Sequence, residues 1–109
     1  MSRSQLGEFE EVVMLTVAIL TMDAYGYAIA QEIEKRLERK VSIGSLQTVL
    51  IRLEKKGYLK SRLGETSNLR GGKRKRYYEL THTGKVSLKA AKEQRLSLWN
   101  AIPDFVFNS

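Results

Sequence analysis

The chain opens on a run whose apolar positions leave almost no polar face. Between residues 4 and 21, Leu6, Phe9, Val12, Val13, Leu15, Val17, Ile19 and Leu20 cover most of a helical wheel. That pattern predicts a helix covered on more than one side. One domain of 109 residues can hardly supply that cover alone, whereas a second subunit could. Asp23, Ala24, Tyr25 and Gly26 then break the pattern, and a second helix is expected to run to about residue 39 with Ile29, Ile33 and Leu37 on one stripe. Ser42 is placed to N-cap a third helix. There Leu46, Val49, Leu50 and Leu53 recur at i, i+3, i+4 and i+7 as one apolar face, and Gly57 stands where a helix ends at C′.

The period changes after Gly57. Residues 58–65 and 75–80 read as strands, joined by the polar, glycine-bearing stretch SNLRGGK as a hairpin with a long tip. Alternation on the second strand points Tyr78 and Leu80 inward. Thr81 is placed to cap a last helix over residues 83–101, which Pro103 closes. The predicted order is α-α-α-β-β-α, a mainly α (α+β) fold. No repeat, low-complexity tract or Pro/Ser-rich linker divides it, so the chain reads as one compact unit.

Charge changes the picture. Residues 1–38 carry three basic residues against seven acidic ones, and residues 52–76 carry ten basic residues against Glu54 and Glu65. Segregation of that kind predicts a polyanion facing one end of the fold. A short helix, a turn, an amphipathic helix and then a basic hairpin form the sequence pattern of a winged helix-turn-helix. With its apolar face buried, the third helix leaves Ser45, Gln47, Thr48, Arg52 and Lys55 outward, the first three short or amide-bearing and able to enter a major groove. Its N-terminus around Ser42, Gly44 and Ser45 offers backbone N–H groups to a phosphate, and Gly44 permits close approach. In the hairpin, Arg70, Lys73, Arg74, Lys75 and Arg76 lie within seven residues, a set suited to a phosphate backbone or a narrow minor groove. Residues 1–81 are thus expected to be the DNA-binding domain, followed by the last helix and its tail over residues 82–109.

The stretches YGYAIAQEIEKR, SIGSLQTVLIRLEKKGYLKSRLGE and RGGKRKRYYELTHTG resemble the PadR family of bacterial and archaeal transcriptional regulators. The family pattern has a GY-x-I helix, an S-x-G-x-L-Y-x-x-L-x-R-L-E-x-x-G recognition helix and a basic wing ending Y-Y/F-x-L-T-x-x-G. The resemblance runs from Leu6 to Trp99 and is specific through order and spacing. Its short final helix resembles the compact subgroup, which implies a homodimer through the first and last helices. It places Ser42, Gly44 and Ser45 at the start of the recognition helix, Arg52 at a basic position within it, Lys73, Lys75 and Arg76 on the wing, and Thr81 and Gly84 at the start of the last helix. Two positions depart from the pattern. Gln47 stands where the family usually has Tyr, and because Gln can pair bidentately with adenine, a changed operator preference follows. Arg74 replaces a residue that is often small or Pro.

The resemblance also implies a palindromic operator, a repressor and a cytoplasmic, nucleoid-associated prokaryotic protein. Some family members bind flat aromatic effectors between their last helices, which makes Phe9, Val13, Leu96, Trp99 and Ile102 the expected effector or dimer surface. Other classes fare worse. The lone His82 has no Cys or second His nearby, so no metal site is expected, and no cofactor motif is present. A nucleophile with a nearby base is missing, which argues against an enzyme. The longest apolar stretch, residues 12–22, is too short to span a bilayer and no leader is evident. The basic segment lacks the apolar face of a membrane-surface helix and the exposed aromatics of an RNA binder. The alternative reading is a winged-helix adaptor that binds protein without specific DNA contact.

Overall fold

The helix order follows from where the apolar stripes fall and where capping groups end them. A computed structural model describes residues 6–65 and 74–108. The described residues form four helices, α1 (Glu8–Leu20), α2 (Gly26–Leu37), α3 (Ile43–Lys55) and α4 (His82–Ala101), and two strands, β1 (Leu59–Leu63) and β2 (Arg76–Leu80), with 3₁₀ turns after α1 and α4. The order α-α-α-β-β-α and the winged helix fold are as the sequence predicts. Ser42 caps α3 by accepting from the Ser45 N–H at 3.1 Å. Gly57, at φ 83°, stands just past the end of α3 in the left-handed conformation that suits glycine. Residues 66–73, the tip of the predicted hairpin, lie outside the described residues.

Ile29 and Ile33 of α2 and Leu46, Leu50 and Leu53 of α3 are almost wholly buried against Val13, Met14 and Val17 of α1 and Leu59 of β1. Burial of each such side chain is worth about 1.5–3 kcal/mol. Leu37 departs from the predicted stripe and is about half exposed, because α2 ends on it and Glu38 turns the chain away at φ 52°. The strands pair antiparallel with Leu59 opposite Leu80 and Leu63 opposite Arg76. Tyr78 is buried and Leu80 partly so. A contact that periodicity did not reveal extends this sheet: Tyr25 bridges Tyr77, and the Tyr78 N–H donates to the Ala24 carbonyl at 2.8 Å.

The last helix is seated at its first turn. The Thr81 hydroxyl donates to the Gly57 carbonyl at 2.6 Å and accepts from the Gly84 N–H at 2.9 Å. The Thr81 N–H donates to the Tyr58 carbonyl at 3.0 Å. Gly84 is the one buried residue of the twenty in α4, and a Cβ there would stand 2.1 Å from the Tyr58 oxygen. Beyond that joint the helix projects about 30 Å, and the molecule measures 60 × 35 × 21 Å. Leu98 and Trp99 near its far end are largely exposed. On the outer side of α1, Leu15, Ile19 and, just beyond its end, Met22 are exposed as well. The two-sided apolar character of the first helix is therefore real, with one side filled by its own domain.

Candidate nucleic-acid interface

The outward side of α3 is the surface the hydrophobic pattern predicts. Ser42, Gly44, Ser45, Gln47, Thr48, Arg52 and Lys55 are all exposed. The Ser42 hydroxyl is engaged in the cap. Thr48 donates its hydroxyl to the Gly44 carbonyl at 3.1 Å, which leaves its lone pairs and methyl group outward. The Gln47 amide leans over the start of α2, its Nε2 being 3.1 Å from where a Cβ of Gly26 would lie. Nothing lies within 4 Å of the place a Gly44 Cβ would take, so the chain's own packing does not require glycine there. Lys55 forms no ion pair among the described residues.

Arg52 is not free in the way its position suggests. Its NH1 is 3.3 Å from Glu10 Oε2, and Lys56 Nζ is 3.0 Å from the same oxygen. Glu10 Oε1 accepts the Gly7 N–H at 2.9 Å. Burial pushes the Glu10 carboxyl up, but the Gly7 N–H, Lys56 and Arg52 together outweigh it and hold the group below the usual carboxylate range. Neither Glu10 nor Lys56 stands out from spacing alone. The acidic first turn of α1 reads locally as a helix-dipole effect, and the cationic partners of Glu10 lie more than forty residues away.

At the wing, Arg74, Lys75 and Arg76 are exposed, while Arg70 and Lys73 lie outside the described residues. Arg74 Nε donates to the Gly64 carbonyl at 2.8 Å. Arg76 NH1 donates to Ser61 Oγ at 3.0 Å, and that hydroxyl donates to Glu54. Lys75 Nζ sits 4.2 Å from the Tyr25 ring centre, and the Tyr25 ring meets Tyr77 edge-on at 5.6 Å. On the outer face Arg62 lies 4.8 Å over Tyr77. The two tyrosines thus hold cations at the wing base through the negative faces of their rings, a role the sequence pattern did not indicate.

The expected effector or dimer residues do not form one surface. Leu96 and Trp99 line a groove of about 570 Å³ between α1 and α4, with Leu15, Leu80 and Leu88 on its apolar floor and Lys85, Lys89, Lys92 and Arg95 around it. Val13 is the clear correction. It is fully buried in the chain's own core, since it shares the inward side of α1 with Val17, and cannot face a partner or ligand. Phe9 is half-buried under the Arg39 guanidinium, 5.1 Å from its ring centre. Ile102 caps the end of α4, and Phe107 folds back to stack on Trp99 at 5.9 Å. Among the described residues, no helix is long and apolar enough to cross a membrane and no cluster of metal-ligating side chains occurs.

An exposed polar third helix beside a basic two-stranded wing defines a winged helix-turn-helix protein of the transcription-regulator class. Residues 14–90 match the PadR-like family of transcriptional regulators, and the chain belongs to that family. A PadR family transcription regulator from Clostridium difficile is 30% identical, superposes with a TM-score of 0.70, and is matched over 90% of this chain and 98% of its own. One from Eggerthella lenta is 25% identical with a TM-score of 0.69, over 94% of this chain and 88% of its own. A PadR-like regulator from Bacillus cereus is 22% identical and shares the fold with a TM-score of 0.71, over 91% of each chain. An uncharacterised protein of Lysinibacillus sphaericus is 44% identical over 72 residues, which are 64% of this chain and 63% of that protein's length.

Proposed function

We propose that the protein binds double-stranded DNA sequence-specifically as a homodimer and represses transcription from a palindromic operator. The observation that carries this reading is the exposure of Ser45, Gln47, Thr48 and Lys55 along α3 together with that of Arg74, Lys75 and Arg76 on the wing. Ser45, Gln47 and Thr48 read base edges, and Ser42 and Gly44 bring the start of α3 against a phosphate. Lys55, Arg70, Lys73, Arg74, Lys75 and Arg76 hold the backbone. Two subunits place their α3 helices in successive major grooves about 34–36 Å apart.

The dimer forms through α1 and α4. The exposed Leu15 and Ile19 on α1, with Met22 just beyond it, and Leu98 and Trp99 on α4 support that assignment, because large exposed apolar side chains of this kind mark surfaces that a partner covers. A flat aromatic effector stacking on Trp99 changes the relation of the two α4 helices and releases DNA. The test is the salt dependence of binding. Replacing Lys73, Lys75 and Arg76 with Ala is expected to weaken binding to all sequences and to flatten the slope of log K against log salt by roughly 0.9 per lost phosphate contact. An unchanged slope removes the wing from the interface. Weak, sequence-blind binding by the wild-type protein would favour the adaptor reading instead.

A further inference from the structure

Each carboxylate in the first turn of α1 is committed to a cation on another element. Glu8 Oε2 is 2.9 Å from Arg39 NH1, just ahead of α3, and Glu11 Oε1 is 2.8 Å from Arg95 NH2 on α4. Glu10 takes two cations, Arg52 in the last turn of α3 and Lys56 at its C-cap. It differs from Glu8 in being 6% exposed and tied to backbone at Gly7. Arg52 follows Ser45 by seven residues and Thr48 by four, so it continues the DNA-facing side of α3. Its side chain and that of Lys56 are 48% and 35% exposed. Both cations therefore stand at the edge of the reading surface and are turned toward α1.

We propose that Glu10 is a specificity-determining residue, a buried carboxylate that withholds Arg52 and Lys56 from the phosphate backbone of arbitrary DNA. The proposal rests on the reading of α3 and the wing as the DNA surface. A phosphate drawing these cations away would leave Glu10 buried and unpaired, which is strongly unfavourable. The carboxyl is held below its usual range, so it competes as a full negative charge near neutral pH. Non-specific affinity comes almost wholly from phosphates neutralised. A loosely docked complex on random DNA shifts to use whichever cations are free, whereas base contacts fix the docking on an operator. Withholding two cations therefore weakens the random complex more, and discrimination rises.

Glu10→Gln keeps an acceptor for the Gly7 N–H and removes the charge. On a random-sequence duplex the variant is expected to bind more tightly at low salt, with a slope steeper by roughly 0.9 for one released cation and about 1.8 for both. The larger value adds roughly a twelvefold loss of affinity between 50 and 200 mM salt. Discrimination in favour of a duplex enriched by the wild-type protein from a random pool should fall. Adding Arg52→Gln and Lys56→Gln to Glu10→Gln should return the slope to the wild-type value. A folded Glu10→Gln protein with the wild-type slope overturns the proposal.

A second measurement needs no variant. Acylation of the Lys56 amine in the wild-type protein, read by mass spectrometry, should proceed equally with and without saturating random duplex, and protection by the duplex overturns the proposal even if Glu10→Gln does not fold. Failure of the wild-type protein to bind any duplex at low salt would instead overturn the DNA-surface reading itself.

Discussion

Gly84→Ala tests the joint on which the last helix is mounted. An ideal Cβ at Gly84 would lie 2.1 Å from the Tyr58 oxygen, 3.0 Å from its carbonyl carbon and 3.2 Å from its Cα. Ordinary carbon–oxygen approach is about 3.3–3.6 Å, so α4 must lift by about 1 Å. The obstacle is backbone and cannot rotate aside. Lifting stretches the Thr81 N–H bond to Tyr58 and the Thr81 hydroxyl bond to Gly57, each worth about 0.5–1.5 kcal/mol. Overpacking adds about 1–3 kcal/mol, and the better helix propensity of Ala returns about 1 kcal/mol. The expected net loss is about 1–5 kcal/mol, centred near 3 kcal/mol, which corresponds at the centre to roughly 12–24 °C in Tm for a chain of this size. Thermal melts followed by circular dichroism, at one fixed protein concentration because dimerisation would couple to Tm, measure it directly. A Tm within about 3 °C of wild type would refute the argument that close backbone approach seats α4.

Two further outcomes follow from single residues. Gly44→Ala meets no neighbour within 4 Å, so stability should hold or rise by up to about 1 kcal/mol, while close approach of DNA makes affinity fall by about tenfold, or about 1.4 kcal/mol; full affinity in a titration would place Gly44 clear of the DNA. Glu10 has a folded-state pKa below the ordinary 4.5, so its contribution is fully present above that value and is lost as pH falls through the lowered one. Urea midpoints should decline on acidification below about pH 4.5, and Glu10→Gln should flatten that decline; parallel curves for the two proteins would contradict the sign.

Local signals carried most of the fold. The 46, 49, 50, 53 stripe, the hydroxyl caps at Ser42 and Thr81 and the glycine after α3 are all satisfied within a turn or two of chain, so their spacing can be read directly. Val13 shows the limit. A helix apolar around its whole circumference does not say which side its own domain fills, and only the packing of α2 and α3 turned Val13 inward and Leu15 outward. The Glu10 bridge and the Tyr25–Tyr77 contact were hidden for a different reason. Their partners are 42, 46 and 52 residues apart, and neither charge nor aromaticity has a period that announces a distant mate. Arg52 was thus legible as an outward cation, but its commitment to α1 was not.

The same joint bears on how α4 could influence α3. The first turn of α4 is bonded to Gly57 and Tyr58, the residues that directly follow the end of α3. Further along, Arg95 is paired with Glu11, one residue from the carboxylate that holds Arg52 and Lys56. Two paths of contact thus join α4 to α3, one through backbone after the C-terminus of α3 and one through the first turn of α1. Trp99 lies about 22 Å along α4 from the joint at Gly84, where a rotation of about 5° moves it by about 2 Å. Displacements of about 1–2 Å at helix interfaces are enough to switch regulators of other folds. In the proposed dimer, a ligand stacking at Trp99 would act far from that joint, where a rotation of a few degrees gives the largest displacement along α4.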